Sequence, residues 1–514
     1  MITFNNINPN IRTPGVYLEV DNSRALRGLV QNPHRALIIG QKLASGGTAS
    51  FDTLMAITRD NLADGFFGKG SILARMCNKF KDNNPNTELY AMAIGSGIAG
   101  TAAEATMDFS GAMVAATASK AYTYYFMING QELEVAIDSN MSGGAIVSRI
   151  VSMVNSIYSD LPVNAAVGAS RGKLVLRAKC SGTVGNYISI IENYYGTQFP
   201  SVFSASANVV GFLRGSGTPG ASFYTSFTGG ATDPNLGDAW AVIDNEQFHY
   251  IIQPYCAAAN LREIEDELED RFLPLNDLQG HGFGAFAGTM ASIGVLGNSR
   301  NSPHNTMVGI TNPPNTPEEW AAAWGAVAAW NLNNDPARPL QFLKLKGIKP
   351  PFIENRFTRA ERDVLLYDGI ATWIVDSGGN VLIERSITTY QKTALGTPDP
   401  SYLDIQTLAT LGEIRFQYKN RMVARFIIPR FKLADDTFPV QPGSYVATPK
   451  TVKQETIALF TLLRDKGLIE NLDEFIENLV VERDLTDVNR VNVLIPVDVI
   501  NQFRILSGNI QFIL

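Results

Sequence analysis

The chain has 514 residues, of which 45% are hydrophobic and 18% are charged, and its formal net charge is −7. This length predicts roughly three domains with large cores, and the negative charge argues against a nucleic-acid-binding protein. The three cysteines, Cys77, Cys180 and Cys256, are too widely spaced for a disulfide framework or a zinc site, which favours a reducing compartment.

Neither a signal peptide nor a membrane span is predicted. The N-terminus, residues 1–6, has neither the basic region nor the apolar region of a signal peptide. The longest apolar stretches, 283–297 and 321–330, are shorter than the ~18–20 residues that a membrane span needs. We therefore expect a soluble protein that is made in the cytoplasm.

Residues 1–27 are predicted to form an extended arm. A short strand follows Pro14-Gly15 at 16–20, and no helix accompanies it. The first domain then begins with an apolar run at 35–40, which is typical of a buried parallel strand. A helix over 71–80 and a strand over 88–94 give this domain a βαβ-like start.

A change of composition near residue 95 predicts an inserted, β-rich α+β domain at 96–231, dominated by Gly, Ala, Ser and Thr. Strands predicted at 122–128 and 133–137 flank Asn129-Gly130, a strong signal for a hairpin turn. A helix is expected at 145–158 and a further strand at 173–179.

The α/β pattern is predicted to resume with strands at 240–244, 250–252 and 306–310 and a charged helix at 257–272. Pro317 and the two following glutamates predict a helix start, because proline suits the first helical position and acids suit the first turn. The alternation continues to about 384 and implies a mostly parallel sheet, so 28–95 and 232–384 would form one discontinuous α/β domain.

The last predicted domain, 385–514, is α+β and differs in charge. It contains 15 basic and 15 acidic residues, so the other 27 basic and 34 acidic residues carry the whole net charge of −7. Thr448-Pro449 and Gly467 predict the start and end of one helix, and Asn471 with Glu474 resembles a capping box for another.

Residues 414–434 contain six basic side chains and no acidic one. They are Arg415, Lys419, Arg421, Arg425, Arg430 and Lys432. Such a run fits either a solvated surface or a basic patch that docks on an acidic protein surface.

The C-terminal stretch is predicted to be strand-forming and apolar to its last residue. Residues 491–495 alternate in polarity, and a second run at 499–506 is followed by 509–514, with Ile510, Phe512 and Leu514 on one face. An unpaired edge strand is an aggregation hazard, so this strand must pair with its own sheet or with another copy. The pattern leaves both options open.

Two glycine motifs resemble nucleotide sites but are incomplete. Gly95, Gly97 and Gly100 fit a dinucleotide fingerprint, yet the sequence that follows is a poor Rossmann helix, and a linker explains it better. The glycines at 65–71 are too closely spaced for a phosphate loop and favour a turn before a helix.

A third motif resembles a protease. Asp244, His281 and Ser292 occur in subtilase order next to Gly288-Thr-Met-Ala, but His281 and Ser292 are only 11 residues apart. The remaining histidines, His34, His249 and His304, have no partners at metal-ligand spacing. No catalytic residue, metal site or cofactor is therefore predicted, and a structural, self-assembling protein fits best. The alternative is a subtilase-like or nucleotide-binding α/β enzyme.

Several separated motifs resemble contractile phage tail sheath proteins, most closely the Mu-like myophage sheaths. In the last domain they are RSITTY (385–390), DPSYLD (399–404), KLADD (432–436), TPK (448–450), VER (481–483), DVNR (487–490) and NQFR (501–504). Near the N-terminus they are PGVY (14–17), RALIIG (35–40) and FGKGS (67–71). The resemblance covers nearly the whole chain and is weakest in the inserted domain.

The resemblance implies a subtilisin-like α/β sheath domain without protease activity, an outer inserted domain and a C-terminal sheath domain. It implies hexameric rings that stack helically around a tail tube in the virion and contract, releasing energy stored at assembly, to drive the tube through the host envelope. The expected partners are further copies, the tube protein, and baseplate and terminator proteins; direct nucleic-acid binding and membrane insertion are not expected. A phage-derived bacteriocin or another contractile device would fit equally well.

Two sets of residues receive roles from this resemblance. Exchanged strands in the arms would contain Val16, Tyr17, Leu18, Val20, Ile510, Phe512 and Leu514. Tube contact is predicted for Arg415, Lys419, Arg421, Arg425, Lys450 and Lys453.

Overall fold

The structure is a computed structural model that describes residues 15, 28–95, 100–109, 122–138, 141–192, 194–195, 224–439, 441 and 444–513. Its contacts divide the chain into two compact units. The large unit comprises 33–409 with 502–514, and the small unit comprises 1–32 with 410–501. The predicted arm strand at 16–20 lies outside the described residues.

The large unit begins with three strands and two helices. These are β1 (Arg35–Gly40), β2 (Leu54–Ala56), α1 (Leu62–Phe67), α2 (Ile72–Asn83) and β3 (Glu88–Ala93). Helix α2 begins as predicted, because the Ser71 hydroxyl accepts a hydrogen bond from the Ala74 backbone N–H. Gly68 and Gly70 have φ of 86° and 83°, so this glycine-rich stretch is the turn that leads into α2.

The described residues between 104 and 192 form two three-stranded antiparallel sheets with their own apolar core. Their elements are β4 (Glu104–Asp108), β5 (Tyr122–Ile128), β6 (Gln131–Ile137), α3 (Gly143–Ser152), β7 (Val163–Val167), β8 (Lys173–Ala178) and β9 (Ile190–Glu192). The predicted hairpin is confirmed: β5 and β6 pair across Asn129 and Gly130, whose φ values of 50° and 74° suit a two-residue turn. Helix α3 is extended by a π-helical segment, Met153–Ile157.

The rest of the large unit alternates helices and strands. The elements are α4 (Gly237–Ile243), β10 (Tyr250–Ile252), α5 (Ala258–Phe272), β11 (His281–Ala287), α6 (Met290–Asn298), β12 (Asn305–Ile310), α7 (Pro317–Asn334), β13 (Leu343–Lys344), α8 (Arg359–Tyr367), β14 (Ile370–Val375) and β15 (Val381–Arg385). The strand predicted at 240–244 is wrong, because this segment belongs to α4. Its buried residues Ala239 and Ile243 are four apart, and so short an apolar run does not distinguish a helix from a strand.

Nine strands form one sheet in the order β13-β15-β14-β12-β11-β10-β1-β3-β2. The strands from β14 to β3 in this order are parallel, and the outer strands β15, β13 and β2 pair in antiparallel fashion. Strands from before and after residues 104–192 therefore share one sheet. The predicted multidomain α/β class with a mostly parallel sheet is confirmed, while the subtilisin-like assignment stays a prediction.

Helix α7 lies in the centre of the large unit and is buried on almost all sides. Trp320 and Trp324 are fully buried, and the Trp324 indole N–H donates to the Ser386 hydroxyl at 3.1 Å. A helix that is apolar all round belongs in a protein interior.

A buried polar network joins α7 to α2 and to the β5–β6 turn. Glu318 and Glu319, in the first turn of α7, both pair with the buried Arg75 of α2, and the contact to Glu319 measures 2.7 Å. The Asn129 side chain donates to Glu319 at 2.8 Å and accepts from the Thr316 backbone N–H at 2.8 Å. The hairpin turn is therefore fixed to the start of the central helix.

The small unit is helical with short strands. Its elements, counting a helix that begins in the large unit, are α9 (Ile405–Met422), β16 (Lys432–Leu433), β17 (Val446–Ala447), α10 (Pro449–Asp465), α11 (Leu472–Asn478), β18 (Val480–Arg483) and β19 (Val491–Leu494). Thr448 caps α10 as predicted, and Gly467 beyond its end has φ of 74°. The predicted Asn471 capping box is wrong: its backbone is left-handed, and its side chain donates to Asp498 at 2.6 Å instead.

Among the described residues, no helix is both long and apolar enough to cross a membrane. That part of the chain also contains no group of three or more His, Cys, Asp or Glu side chains arranged to hold a metal ion.

Replacing Arg75 by methionine should destabilise the large unit, because Glu318 and Glu319 would lose their buried partner. We expect the free energy of unfolding to fall by about 3–5 kcal/mol, measured by urea denaturation. The matched control is Arg35→Met, which breaks half-exposed ion pairs to Glu88 and Glu246 and should cost no more than about 1 kcal/mol. Equal losses in the two variants would contradict the role given to the network.

Candidate functional site

The protease-like residues do not come together. His281 begins β11 and bonds to the Thr306 hydroxyl at 2.8 Å, whereas Ser292 lies in α6, beyond the other end of that strand. A strand rises about 3.3 Å per residue, so β11 alone separates the two by roughly 20 Å. Burial also lowers the pKa of His281 to about 3, so its ring is neutral at physiological pH. This arrangement is not a catalytic triad.

The C-terminal segment carries exposed apolar side chains. Residues 502–513 form no regular secondary structure and have no strand partner within the described chain. Ile510 is 94% exposed and Phe512 is 80% exposed. Pairing with a sheet of its own copy, one of the two options left by the sequence, is therefore not formed here. Leu514 lies outside the described residues, as do Val16, Tyr17, Leu18 and Val20.

One largely buried arginine side chain holds the start of this segment in the large unit. The Arg504 guanidinium lies 2.9 Å from a carboxylate oxygen of Asp404, and its side chain is only 12% exposed. The Arg385 guanidinium donates two hydrogen bonds, of 3.0 and 3.1 Å, to the same carboxylate. Burial lowers the pKa of Arg504, which remains a cation at any physiological pH. The segment is thus anchored at 504 while the apolar residues after it stay exposed.

The small unit contains a two-stranded sheet with open edges. Strands β18 and β19 pair in antiparallel register from Val480–Leu494 to Arg483–Val491, and no third described strand joins them. The Asp484 carboxylate accepts hydrogen bonds from Thr486, Asp487 and Asn492, and these bonds hold the connecting turn. The same bonds lower the pKa of Asp484. A lone two-stranded sheet is marginal, so its edges are suited to strand addition.

The six predicted tube-contact residues lie on helices α9 and α10 and on the π-helical segment that follows α9. Arg415, Lys419 and Arg421 belong to α9, Arg425 follows in the π-helical segment Val423–Ile427, and Lys450 and Lys453 belong to α10.

Their side chains differ in exposure and in the ion pairs and hydrogen bonds that they form. Arg421 is ion-paired with Glu455 of α10, and Lys453 donates to the Leu479 carbonyl at 2.7 Å. Arg425 lies 3.6 Å from the same Glu455, yet its side chain is 61% exposed, and Lys450 is also exposed. Arg425 and Lys450 are therefore the most accessible of these four cations.

Sequence reasoning missed Glu455 and Asp404, the carboxylates that organise these two regions. Glu455 lies outside the basic run 414–434, which contains its partners Arg421 and Arg425. Asp404 lies outside the motifs at 385–390 and 501–504, which contain its partners Arg385 and Arg504. For Asp404, the paired motifs at 385–390 and 399–404 were the available signal, because they bring Arg385 and Asp404 into one pattern.

Comparison with known proteins decides the family. The phage tail sheath protein central domain matches residues 229–389, and the phage tail sheath C-terminal domain matches residues 397–513. The Mu-like prophage FluMu tail sheath protein of Haemophilus influenzae is 34% identical over 514 residues, covering 100% of both chains. The chain belongs to the phage tail sheath family. It is a structural component of a contractile tail sheath in the virion, and the family is a structural one rather than an enzyme family, so the predicted resemblance is confirmed.

Solved structures give a more distant likeness. The anti-feeding prophage helical sheath in its contracted state is 10% identical with a TM-score of 0.47, covering 98% of this chain and 99% of that chain. The sheath tail protein of Desulfitobacterium hafniense is 14% identical with a TM-score of 0.46, covering 95% and 100%. The family assignment rests on the sequence relatives.

Replacing Asp404 by asparagine should release the C-terminal segment, because Arg385 and Arg504 would lose their shared anion. Losing charge-assisted bonds of about 1.5–3 kcal/mol should accelerate tryptic cleavage after Arg504 by about 10–100-fold. The control is Asp399→Asn, which changes a half-buried loop carboxylate bonded to Tyr390 and Ser401. Unchanged cleavage of Asp404→Asn would show that this anchor does not restrain the segment.

Proposed function

We propose that this chain polymerises as hexameric rings that stack around a tail tube, and that the array contracts to drive the tube through the host envelope for genome delivery. The observation that carries the proposal is the anchored but unpaired apolar segment at 502–513, in a chain whose full length matches a sheath protein. Assembly takes place in the host cytoplasm, with baseplate and terminator proteins at the ends of the sheath.

The segment containing Ile510 and Phe512 adds a strand to a sheet of a neighbouring copy, and the arm strand at 16–20 does the same. The acceptor is the two-stranded sheet of β18 and β19, and the open edges of that sheet support this choice. A donated strand makes about four to six backbone hydrogen bonds of roughly 0.5–1.5 kcal/mol each. Burying each large apolar side chain adds about 1.5–3 kcal/mol. Links of this strength, repeated around a ring, keep copies joined while their bodies rotate.

The basic residues of α9 and α10 face the tube. Support comes from the exposure of Arg425 and Lys450 and from the absence of acids in 414–434. Arg415, Lys419, Arg421 and Lys453 complete the proposed contact. The domain at 96–231 lies on the outside of the sheath, and the resemblance of this chain to the family is weakest in that domain.

Deleting residues 509–514 should leave folded monomers that do not polymerise, because the donated strand is lost. Negative-stain electron microscopy and sedimentation at rising protein concentration measure the polymer, and circular dichroism checks the fold. The control is Leu395→Ser, which removes a 93%-exposed apolar side chain from a loop and should assemble normally. Sheaths formed by the truncated chain would exclude strand donation by this segment.

Reversing the charge of Arg425 should weaken assembly on tubes, since a cation facing the tube would become an anion. We expect Arg425→Glu to raise the protein concentration needed for tube decoration by about tenfold. Arg421→Glu should also weaken decoration, but it breaks the Glu455 ion pair as well and so tests two effects. The matched control is Arg59→Glu, at an exposed cation of the large unit. Decoration by Arg425→Glu at the wild-type concentration would reject the tube contact.

A further inference from the structure

The π-helical end of α9 carries an apolar surface to which no role has been assigned. We call residues 426–432, which follow the proposed tube contact Arg425, the isoleucine tip. Ile427 and Ile428, adjacent in sequence, are 68% and 69% exposed. Two large aliphatic side chains held in water side by side cost free energy in the isolated copy, and such patches mark contacts with other proteins.

The tip is held in one conformation. The Ile428 backbone N–H donates to the Val423 carbonyl at 2.9 Å, and the Arg430 N–H donates to the Ile427 carbonyl at 3.0 Å. The Phe426 and Phe431 rings meet edge to face at 5.6 Å behind it. Arg430 itself has φ of 59°, a left-handed conformation that turns the chain sharply. The isoleucines are therefore presented rigidly, which reduces the entropy lost on docking.

The charge of the tip defines what it can meet. Arg430 and Lys432 are exposed, and neither forms an ion pair with a described residue. The sequence from 414 to 434 contributes no acid. The complementary surface must therefore combine acidic side chains with exposed apolar ones.

Such a surface exists on helix α5 of the large unit. Asp266, Glu269 and Asp270 are exposed, and their spacing of three and four residues places them on one face together with Leu273. Leu275, just beyond the helix, is 98% exposed. Asp266 and Glu269 form no ion pair with any residue in the described ranges, while Asp270 accepts a bond from Asn276 at 3.0 Å. We call these five residues the acidic face of α5.

We propose that the isoleucine tip of one copy docks on the acidic face of α5 in a second copy. The two surfaces are different, so the contact is head-to-tail and leaves each copy with a free tip or a free face, as an extending polymer requires. Ile427 and Ile428 supply affinity by covering Leu273 and Leu275, and the cations fix the orientation. The docking rests on the proposed sheath function and adds a contact between copies to the donated strands.

A charge-swap experiment on the full-length chain tests the docking. One variant carries Arg430→Glu with Lys432→Glu, a second carries Asp266→Lys with Glu269→Lys, and a third carries all four changes. The critical concentration for polymer formation is measured by sedimentation, with and without tube protein, and circular dichroism checks each fold. Arg59→Glu and Glu477→Lys are matched controls at exposed charges outside both surfaces.

We expect each double reversal to raise the critical concentration at least about tenfold, and the four-fold variant to return to within about threefold of wild type. Reversals that assemble like wild type overturn the docking, and so does a four-fold variant that stays defective. A defect seen only when tube is present overturns it in favour of a tube contact. A wild-type chain that never polymerises, alone or on tubes, overturns the sheath proposal and the docking with it.

Discussion

The large unit depends on charges buried at the start of its central helix. Glu318 and Glu319 would be costly inside an apolar core without a partner, and Arg75 from a helix distant in sequence supplies one. Asn129 adds the turn of the inserted hairpin to the same carboxylates. Because every member is buried, losing Arg75 removes the ion pair of Glu318 and leaves Glu319 with Lys79 at 3.9 Å as its charged neighbour. The buried ion pairs and hydrogen bonds therefore fix the position of the hairpin turn against helix α7 more strictly than apolar contact alone would.

Regular elements with strong local signals could be predicted from the sequence. Asn129-Gly130 predicted its hairpin and Thr448-Pro449 its helix start because both signals act through the backbone of a few neighbouring residues. The segment 240–244 was misassigned because a short apolar run fits a helix and a strand equally well. Asn471 failed as a cap because its left-handed backbone turns the side chain toward Asp498 instead.

The candidate assembly residues were less accessible to such reasoning. The apolar alternation around Ile510 indicated a strand in need of a partner, but only the three-dimensional arrangement places Arg504 on Asp404 and separates an anchored base from an exposed end. Likewise, a run of cations without acids looked uniform, although Glu455 on the next helix engages Arg421 and leaves Arg425 largely exposed. Contacts between residues distant in sequence decide both cases.

The exposed apolar residues lie outside the apolar cores, and this separates folding from assembly. Neither Ile510 and Phe512 nor Ile427 and Ile428 belong to a buried cluster, so each unit completes its core without them. Burying them is then a gain that only association supplies, and it depends on the concentration of copies rather than on the fold. With the proposed contacts, a folded single copy would gain free energy at each contact that it makes with another copy. That combination is what a protein needs if it is to be synthesised free and then added, copy by copy, to an ordered array.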